Sequence, residues 1–297
     1  MERGPIIRGD CVRSQIVERI KVVTDSAADL PAEVVQALGI TVIPLMVIFG
    51  EQSYEDSTLP RDEFWRLARE VGTPKTSQPA LGVFRQVFKR WIDEGYRVLC
   101  VTLTGRHSGT FDTAWSAAQS FGDRVTVVDS QSISWGLGWQ AIEAAKMALQ
   151  GATMDKILES LRSLRERMRI IIQLDTVEYL RRGGRAAKIM PAIDRLVQAL
   201  QLKPLITLVE GELRLLGVAR SYQKGVQRIQ EEIVRLCPLE RMAVMHTRRE
   251  ALARQLADEL ARLTHIAREQ IIVGEPGAVL SCHAGEGVIA AAGVTAR

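Results

Sequence analysis

Strand-like and helix-like patterns alternate through the first half of the chain. Lys21 to Thr24, Ile40 to Phe49, Val98 to Leu103 and Arg124 to Val128 are runs rich in apolar, β-branched residues without polar alternation, as in strands buried on both faces. Helical periods separate them: Arg61 to Val71, the stripe Leu81, Val83, Phe84, Val87, Trp91 and Ile92, a helix opening near Thr110, and another from about Ser134 to Leu149. Pro44 interrupts the second run and predicts an edge position or a bulge, while Glu51 to Asp56 reads as a polar connection. The alternation predicts an α/β layer on a mainly parallel sheet. Gly136 and Gly138 imply close packing or ligand approach in their helix, and Trp135 and Trp139, four apart, imply a core-facing stripe.

The pattern changes after a long amphipathic helix, Met154 to about Met168. Arg169 to Leu174 reads as a strand and Asp175 to Leu180 as a short helix stopping at Gly183-Gly184. Lys203 to Val209 and Glu212 to Ala219 flank Gly211, a hairpin signal absent from the first half. Helix Ser221 to Leu236, strand Arg241 to His246, helix Arg249 to Leu263 and strands Gln270 to Val273 and Ala278 to Cys282 follow. The last leads through His283-Ala284-Gly285-Glu286-Gly287 into a small-residue helix. The expected fold class is α/β with two domains: an N-terminal mainly parallel α/β sheet over 18–165 and a C-terminal α+β domain with antiparallel strands over 166–297. A flexible extension, 1–17, is expected ahead of them.

Composition narrows the function classes. With 297 residues, 46% of them hydrophobic, the chain can build substantial cores. The net charge of +4 comes without a dense basic block or zinc-finger spacing, so no nucleic-acid partner is expected even at pI about 9.0. Cys11, Cys100, Cys237 and Cys282 form no CxxC pair, which predicts free thiols and a reducing, cytoplasmic setting without a metal. No signal peptide or membrane-length apolar run is evident. Walker A, dinucleotide-fingerprint, HExxH and GxSxG patterns are also absent, so no cofactor is expected.

The remaining chemistry gathers at strand ends. Thr104-Gly105-Arg106-His107-Ser108-Gly109-Thr110 follows an apolar strand and opens a helix, the place where open α/β sheets bind ligands. Its glycines admit close backbone approach, and Ser108, Thr110 and the first helical N–H groups suit a carboxylate or phosphate. Plain helix capping explains the same hydroxyls. Thr76 and Ser77 before the next helical stripe, and Asp25 and Ser26 at a strand's carboxyl end, carry the same two readings. Among the histidines, His283 beside a Gly-x-Gly turn has the poorest core credentials, His265 reads as solvated mid-helix, and His246 ends a strand. His107 is not read as the partner of Ser108, because sequence neighbours rarely face each other. Hydroxyls with one histidine bind a carboxylate through charge-assisted hydrogen bonds. The alternative from the same residues is a serine-dependent hydrolase or acyl transferase, with Ser108 as nucleophile and His283 as base.

The motifs taken together resemble the DegV family, the fatty-acid-binding subunits of bacterial fatty acid kinase. The resemblance rests on Val23-Thr24-Asp25-Ser26 with Asp29-Leu30-Pro31, Pro44-Leu45, Tyr54 with Asp56, Thr76-Ser77-Gln78-Pro79, Ser108-Gly109-Thr110-Phe111 and Val128-Asp129-Ser130. In the second half it rests on Tyr179-Leu180, Gly183-Gly184-Arg185, Lys203-Pro204, Arg220, and His283 with Gly285 and Gly287. It implies a non-enzymatic carrier that holds a long-chain fatty acid between two domains, its acyl chain in an apolar tunnel. The carboxylate contacts of the family fall on Thr76, Ser108 and His283, with Thr110, Gly109, Gly285, Arg185 and Arg220 in support. The implied partner is a separate ATP-dependent kinase that converts the carboxylate to an acyl phosphate for phospholipid synthesis, with transient membrane contact for ligand exchange. The chain departs from the family pattern at Thr104-Gly105, His107, Ala284 and Glu286. An inward Glu286 would repel a fatty carboxylate, and an outward one is harmless.

Overall fold

The computed structural model describes residues 18–184, 188–191, 193 and 202–297. The expected extension 1–17, Cys11 and the candidate Arg185 lie outside the described residues.

The first half of the chain supplies β1 (Ile20–Asp25), α1 (Ala32–Leu38), β2 (Thr41–Ile43), β3 (Met46–Phe49), β4 (Gln52–Glu55), α2 (Arg61–Glu70), β5 (Lys75–Ser77), α3 (Leu81–Asp93), β6 (Arg97–Thr102), α4 (Thr110–Ala118), β7 (Val125–Asp129) and α5 (Trp135–Leu149). The predicted parallel sheet forms in the order β2-β1-β6-β7. Its two faces are both buried, which explains the unbroken apolar runs. Val22, Leu99 and Val101 pack toward α2 and α5, while Val23, Val98 and Cys100 pack toward α3 and α4.

The run from Ile40 to Phe49 is not one strand. It divides at Pro44-Leu45: β2 stays in the parallel sheet, and β3 becomes the centre of a separate antiparallel sheet in the order β4-β3-β5. The supposed polar connection Glu51–Asp56 contains β4, and the segment before α3 contains β5. These strands are only three or four residues long, too short to show a period. Close packing at the start of α5 holds, for a Cβ on Gly138 would lie 2.6 Å from the Ala28 carbonyl oxygen. Trp135 and Trp139 are buried as expected.

The second half supplies α6 (Met154–Arg167), β8 (Met168–Gln173), α7 (Glu178–Gly183), β9 (Lys203–Val209), β10 (Glu212–Ala219), α8 (Tyr222–Val234), β11 (Leu239–His246), α9 (Glu250–Thr264), β12 (Ile271–Gly274), α10 (Ala278–Ala284) and β13 (Ile289–Thr295). The six-stranded sheet runs β10-β9-β8-β13-β11-β12 and is antiparallel except between β11 and β12. Glu210 and Gly211 both take positive φ, 51° and 79°, as a tight two-residue hairpin turn requires. Strand alternation divides the sheet's faces: Ile171, Val244, Ile289 and Ala291 meet α8 and α9, whereas Ile170, Ile172, Met245 and Ala290 face the first half of the chain.

Ala278 to Cys282 is helical and not a strand, and the small-residue segment after Gly287 is the strand β13 and not a helix. A short apolar run carries no decisive period, so tertiary partners decide. Asp29 and Asp56 accept from the N–H groups of Gly277 and Val279 at 2.7 and 2.9 Å, satisfying donors that a helix start leaves open. β13 is central, with both faces covered, and its run of alanines fits between β8 and β11. His265 is not mid-helix but the left-handed residue that ends α9, at φ 60°.

Candidate functional site

Three elements deliver the predicted side chains to one place. β5 pairs Thr76 with Val47, the loop after β6 presents Ser108, and α10 carries His283 at its carboxyl end. Thr76, Ser108 and His283, with Gly109, line a single cavity of about 790 Å3. Thr76 Oγ1 and His283 Nε2 are hydrogen-bonded at 2.9 Å. The ring is seated against α7: a Cβ on Gly183 would lie 2.6 Å from His283 Nδ1, closer than any side chain allows. Ser108 Oγ accepts from the Thr110 N–H at 3.2 Å and shares a 2.8 Å hydrogen bond with Thr110 Oγ1. Thr110 is buried and supports Ser108 without lining the cavity. Thr76 caps no helix, since α3 is preceded by Ala80; Gly109 precedes α4, and Ser108 satisfies the first N–H of that helix from one position further back.

These contacts leave hydroxyl protons for a ligand. A hydroxyl has one donor and two acceptor positions. When the Thr110 hydroxyl donates to Ser108 Oγ, that oxygen accepts twice and its own proton is free to point into the cavity. Likewise, when His283 Nε2–H donates to Thr76 Oγ1, the Thr76 proton is released for a second acceptor. With the hydrogens so placed, two hydroxyl donors are presented to one anionic group.

A second cavity of about 110 Å3 shares Ile133, Leu180, Leu213, Leu280 and His283 with the first. Its depth is walled by the inner sheet face, Ile170, Ile172, Ile206, Met245 and Ala290. None of these wall residues was singled out as a site from sequence, because apolar residues that line a tunnel and those that fill a core have the same pattern. Gly183 was legible only as part of its glycine pair.

A family model described as an uncharacterised protein of the DegV family matches residues 19–295. The chain belongs to the DegV family. The DegV match takes in Thr76, Ser108 and His283. A DegV domain-containing protein of Staphylococcus aureus is 32% identical over 272 residues, covering 90% of this chain and 96% of that one. A fatty-acid-binding DegV-family protein from Thermus thermophilus has a similar structure, with TM-score 0.83, 32% identity, and coverage of 94% and 100% of the two chains. DegV of Bacillus subtilis, a fatty-acid-binding protein, matches with TM-score 0.82, 28% identity, and coverage of 93% and 99%.

The departures from the DegV pattern have structural partners. His107 Nε2 accepts from the Leu213 N–H at 3.0 Å, and Thr104 donates to the Gly211 carbonyl at 2.8 Å, so this loop is tied to the β9–β10 hairpin. Gly105 N–H donates to Asp129 Oδ2 at 3.1 Å. Ala284 lines the apolar cavity, and Glu286 is exposed and lines neither cavity. Gly285, at φ 80°, ends α10 against the Tyr179 ring, which occupies the space a side chain would need. Gly109 gives way to Gln78 in the same manner. Arg220 is exposed beyond β10 and lines neither cavity. Asp25 and Ser26 are structural: Asp25 accepts from the Leu103 and Ala27 N–H groups, and Ser26 Oγ from the Leu45 N–H. His246 is buried against the apolar cavity and accepts from the Arg249 N–H; burial holds its imidazole below the usual histidine range.

Proposed function

We propose that this DegV-family protein is a carrier for a long-chain fatty acid. The carboxylate is held by Thr76 and Ser108, with His283 orienting Thr76, and the acyl chain enters the apolar cavity between the inner sheet face, α7 and α10. The observation that carries this reading is the convergence of Thr76, Ser108 and His283 on one cavity that shares its walls with an apolar one. The fatty-acid-binding relatives point the same way. Ser108 contacts Thr110 while His283 Nε2 contacts Thr76, so the geometry favours a binding site over a nucleophile with its base. The reading divides the chain near residue 165, with 18–165 supplying Thr76 and Ser108 and 166–297 supplying His283 and most of the acyl wall.

The carrier role includes a partner. A separate ATP-dependent kinase phosphorylates the presented carboxylate to an acyl phosphate for phospholipid synthesis, and the loaded carrier exchanges its ligand in transient contact with the membrane. A kinase partner that uses ATP calls for a cytoplasmic setting. No helix among the described residues is long and apolar enough to cross a membrane. Solvent extraction of the purified protein followed by mass spectrometry is expected to release about one fatty acid per chain. An empty protein that also takes up no fatty acid on titration would refute the reading.

A further inference from the structure

A third cavity, of about 640 Å3, is lined by Arg106, Arg162, Arg165 and Arg169 together with Glu166 and Glu210. It adjoins the site already described, because Arg106 and Leu208 line both. Arg106 belongs to the Ser108 loop, Arg162 and Arg165 lie three apart on α6, and Arg169 follows in β8. The Thr104 N–H joins the loops after β6 and β7 by donating to the Ser132 carbonyl, and Thr104 Oγ1 pins them to the other sheet by donating to Gly211 at the tip of the hairpin.

Two of the arginines, Arg165 and Arg169, are held by neutral groups. Arg165 donates to the Asp129 carbonyl at 2.6 Å, and Arg169 to the Glu166 and Met168 carbonyls at 3.0 and 2.6 Å. The Asp129 carboxylate is occupied by the Gly105 and Gln131 N–H groups. Among the described residues none of these four arginines forms an ion pair, whereas Arg167 on the same helix pairs with Glu240 at 3.0 Å. Each guanidinium has five N–H donors, so most of those on Arg165 and Arg169 remain available. Burial, reinforced by Arg162, lowers the Arg165 pKa against the opposing influence of Asp129 and Glu166. The Arg165 cation is thus held at an electrostatic disadvantage that an anion would offset.

We propose that this arginine cleft is a phosphate-binding site, separate from the carboxylate site and next to it, that takes a phosphomonoester or phosphodiester group. Planar guanidinium forks match phosphate oxygens in bidentate fashion. Glu166 and Glu210 leave four positive side chains against two negative ones in the lining, a surplus suited to a small anion. Among the described residues the lining holds no aromatic ring on which a nucleobase could stack, which disfavours a nucleotide. The phosphate can be free or can belong to an anionic lipid headgroup, and the proposal does not depend on the identity of the acyl ligand.

The test uses the full chain, Arg165→Gln, and the exposed double variant Arg162→Gln/Arg169→Gln, which keeps the proposal testable should Arg165→Gln fail to fold. Inorganic phosphate is titrated by calorimetry in chloride buffer at constant ionic strength. In parallel, the proteins are sedimented with phosphatidylcholine vesicles with and without phosphatidylglycerol. Saturable binding is expected in at least one arm, weakened about tenfold or more by either variant, as loss of a charge-assisted hydrogen bond implies. Saturation by phosphate alone identifies a free phosphate as the source; retention on phosphatidylglycerol alone identifies the headgroup. Absence of binding in both arms, or binding unchanged in the folded variants, overturns the proposal. Fatty-acid load measured on the same samples separates this outcome from failure of the carrier reading.

Discussion

Ser108 illustrates how a hydroxyl is prepared for the proposed role of ligand donor: the Thr110 N–H takes one of its acceptor positions, and when the Thr110 hydroxyl takes the other, the Ser108 proton is left to be given away. The carrier reading predicts that Ser108→Ala and Thr76→Ala each remove a hydrogen bond to a charged group, about 1.5 to 3 kcal/mol. Fatty-acid affinity measured by displacement of a fluorescent analogue should fall at least about tenfold in each; parental affinity in either variant would remove that residue from the site. Gly183 acts one step back. In Gly183→Ala the new Cβ would lie 2.6 Å from His283 Nδ1, so the ring must shift and its 2.9 Å contact with Thr76 is disturbed. A loss of affinity comparable to that of Thr76→Ala is expected, and it should be absent when the same change is made in a His283→Ala background. Among these residues the polar ones were legible in the sequence because hydroxyls and a histidine at strand and helix ends are few. The glycine's role depends on a ring 100 positions away and could not be read locally.

At the scale of elements, α10 shows why a short apolar run misleads. Its start is held by carboxylates of the first half of the chain, Asp29 on Gly277 and Asp56 on Val279, and its other end by the Thr76–His283 contact. Asp29 also accepts from the Ser134 hydroxyl at 2.5 Å. Burial pushes the Asp25 and Asp29 carboxyls up to about 7; their hydrogen bonds oppose the rise, and Asp56 adds to it. Arg61 acts on Asp29 in the opposite direction. An unfolded aspartate titrates near 3.9, so between roughly pH 4 and 7 the folded chain keeps protons that the unfolded chain has released. The stability this contributes is full below about pH 4 and is lost as pH rises through about 7. Urea unfolding across pH 5.5 to 8.5 should therefore show stability declining with pH, on the order of 1 kcal/mol per unit for each group below 7. Asp25→Asn, which cannot ionise, should flatten the decline; an unchanged slope would mean that Asp25 does not titrate there.

For the whole molecule, the carrier reading makes the acyl path depend on small residues of the inner sheet face. Ala290 is buried and lines the apolar cavity. Ala290→Leu should fill part of the path at about 1 to 3 kcal/mol of overpacking and shift the copurified fatty acids toward shorter chains by mass spectrometry. An unaltered chain-length distribution would exclude this cavity from the acyl path. The parallel sheet and the six-stranded sheet are tied together by the β9–β10 hairpin through Thr104 and His107, and the proposed path runs between them.

What the sequence determined by itself was local and periodic. The strands β1, β6 and β7 buried on both faces, the hairpin at Gly211, the amphipathic helices, and the placing of Ser108 in the loop that opens α4 follow from apolar period and turn chemistry acting within a few residues. Tertiary structure alone decided the rest: the division of Ile40–Phe49 between two sheets, the helical state of Ala278–Ala284, the seating of His283 on Gly183, and which apolar residues bound a cavity. Those outcomes depend on partners distant in the chain, where hydrogen bonds to buried carboxylates and the fit of side-chain volumes outweigh local preference.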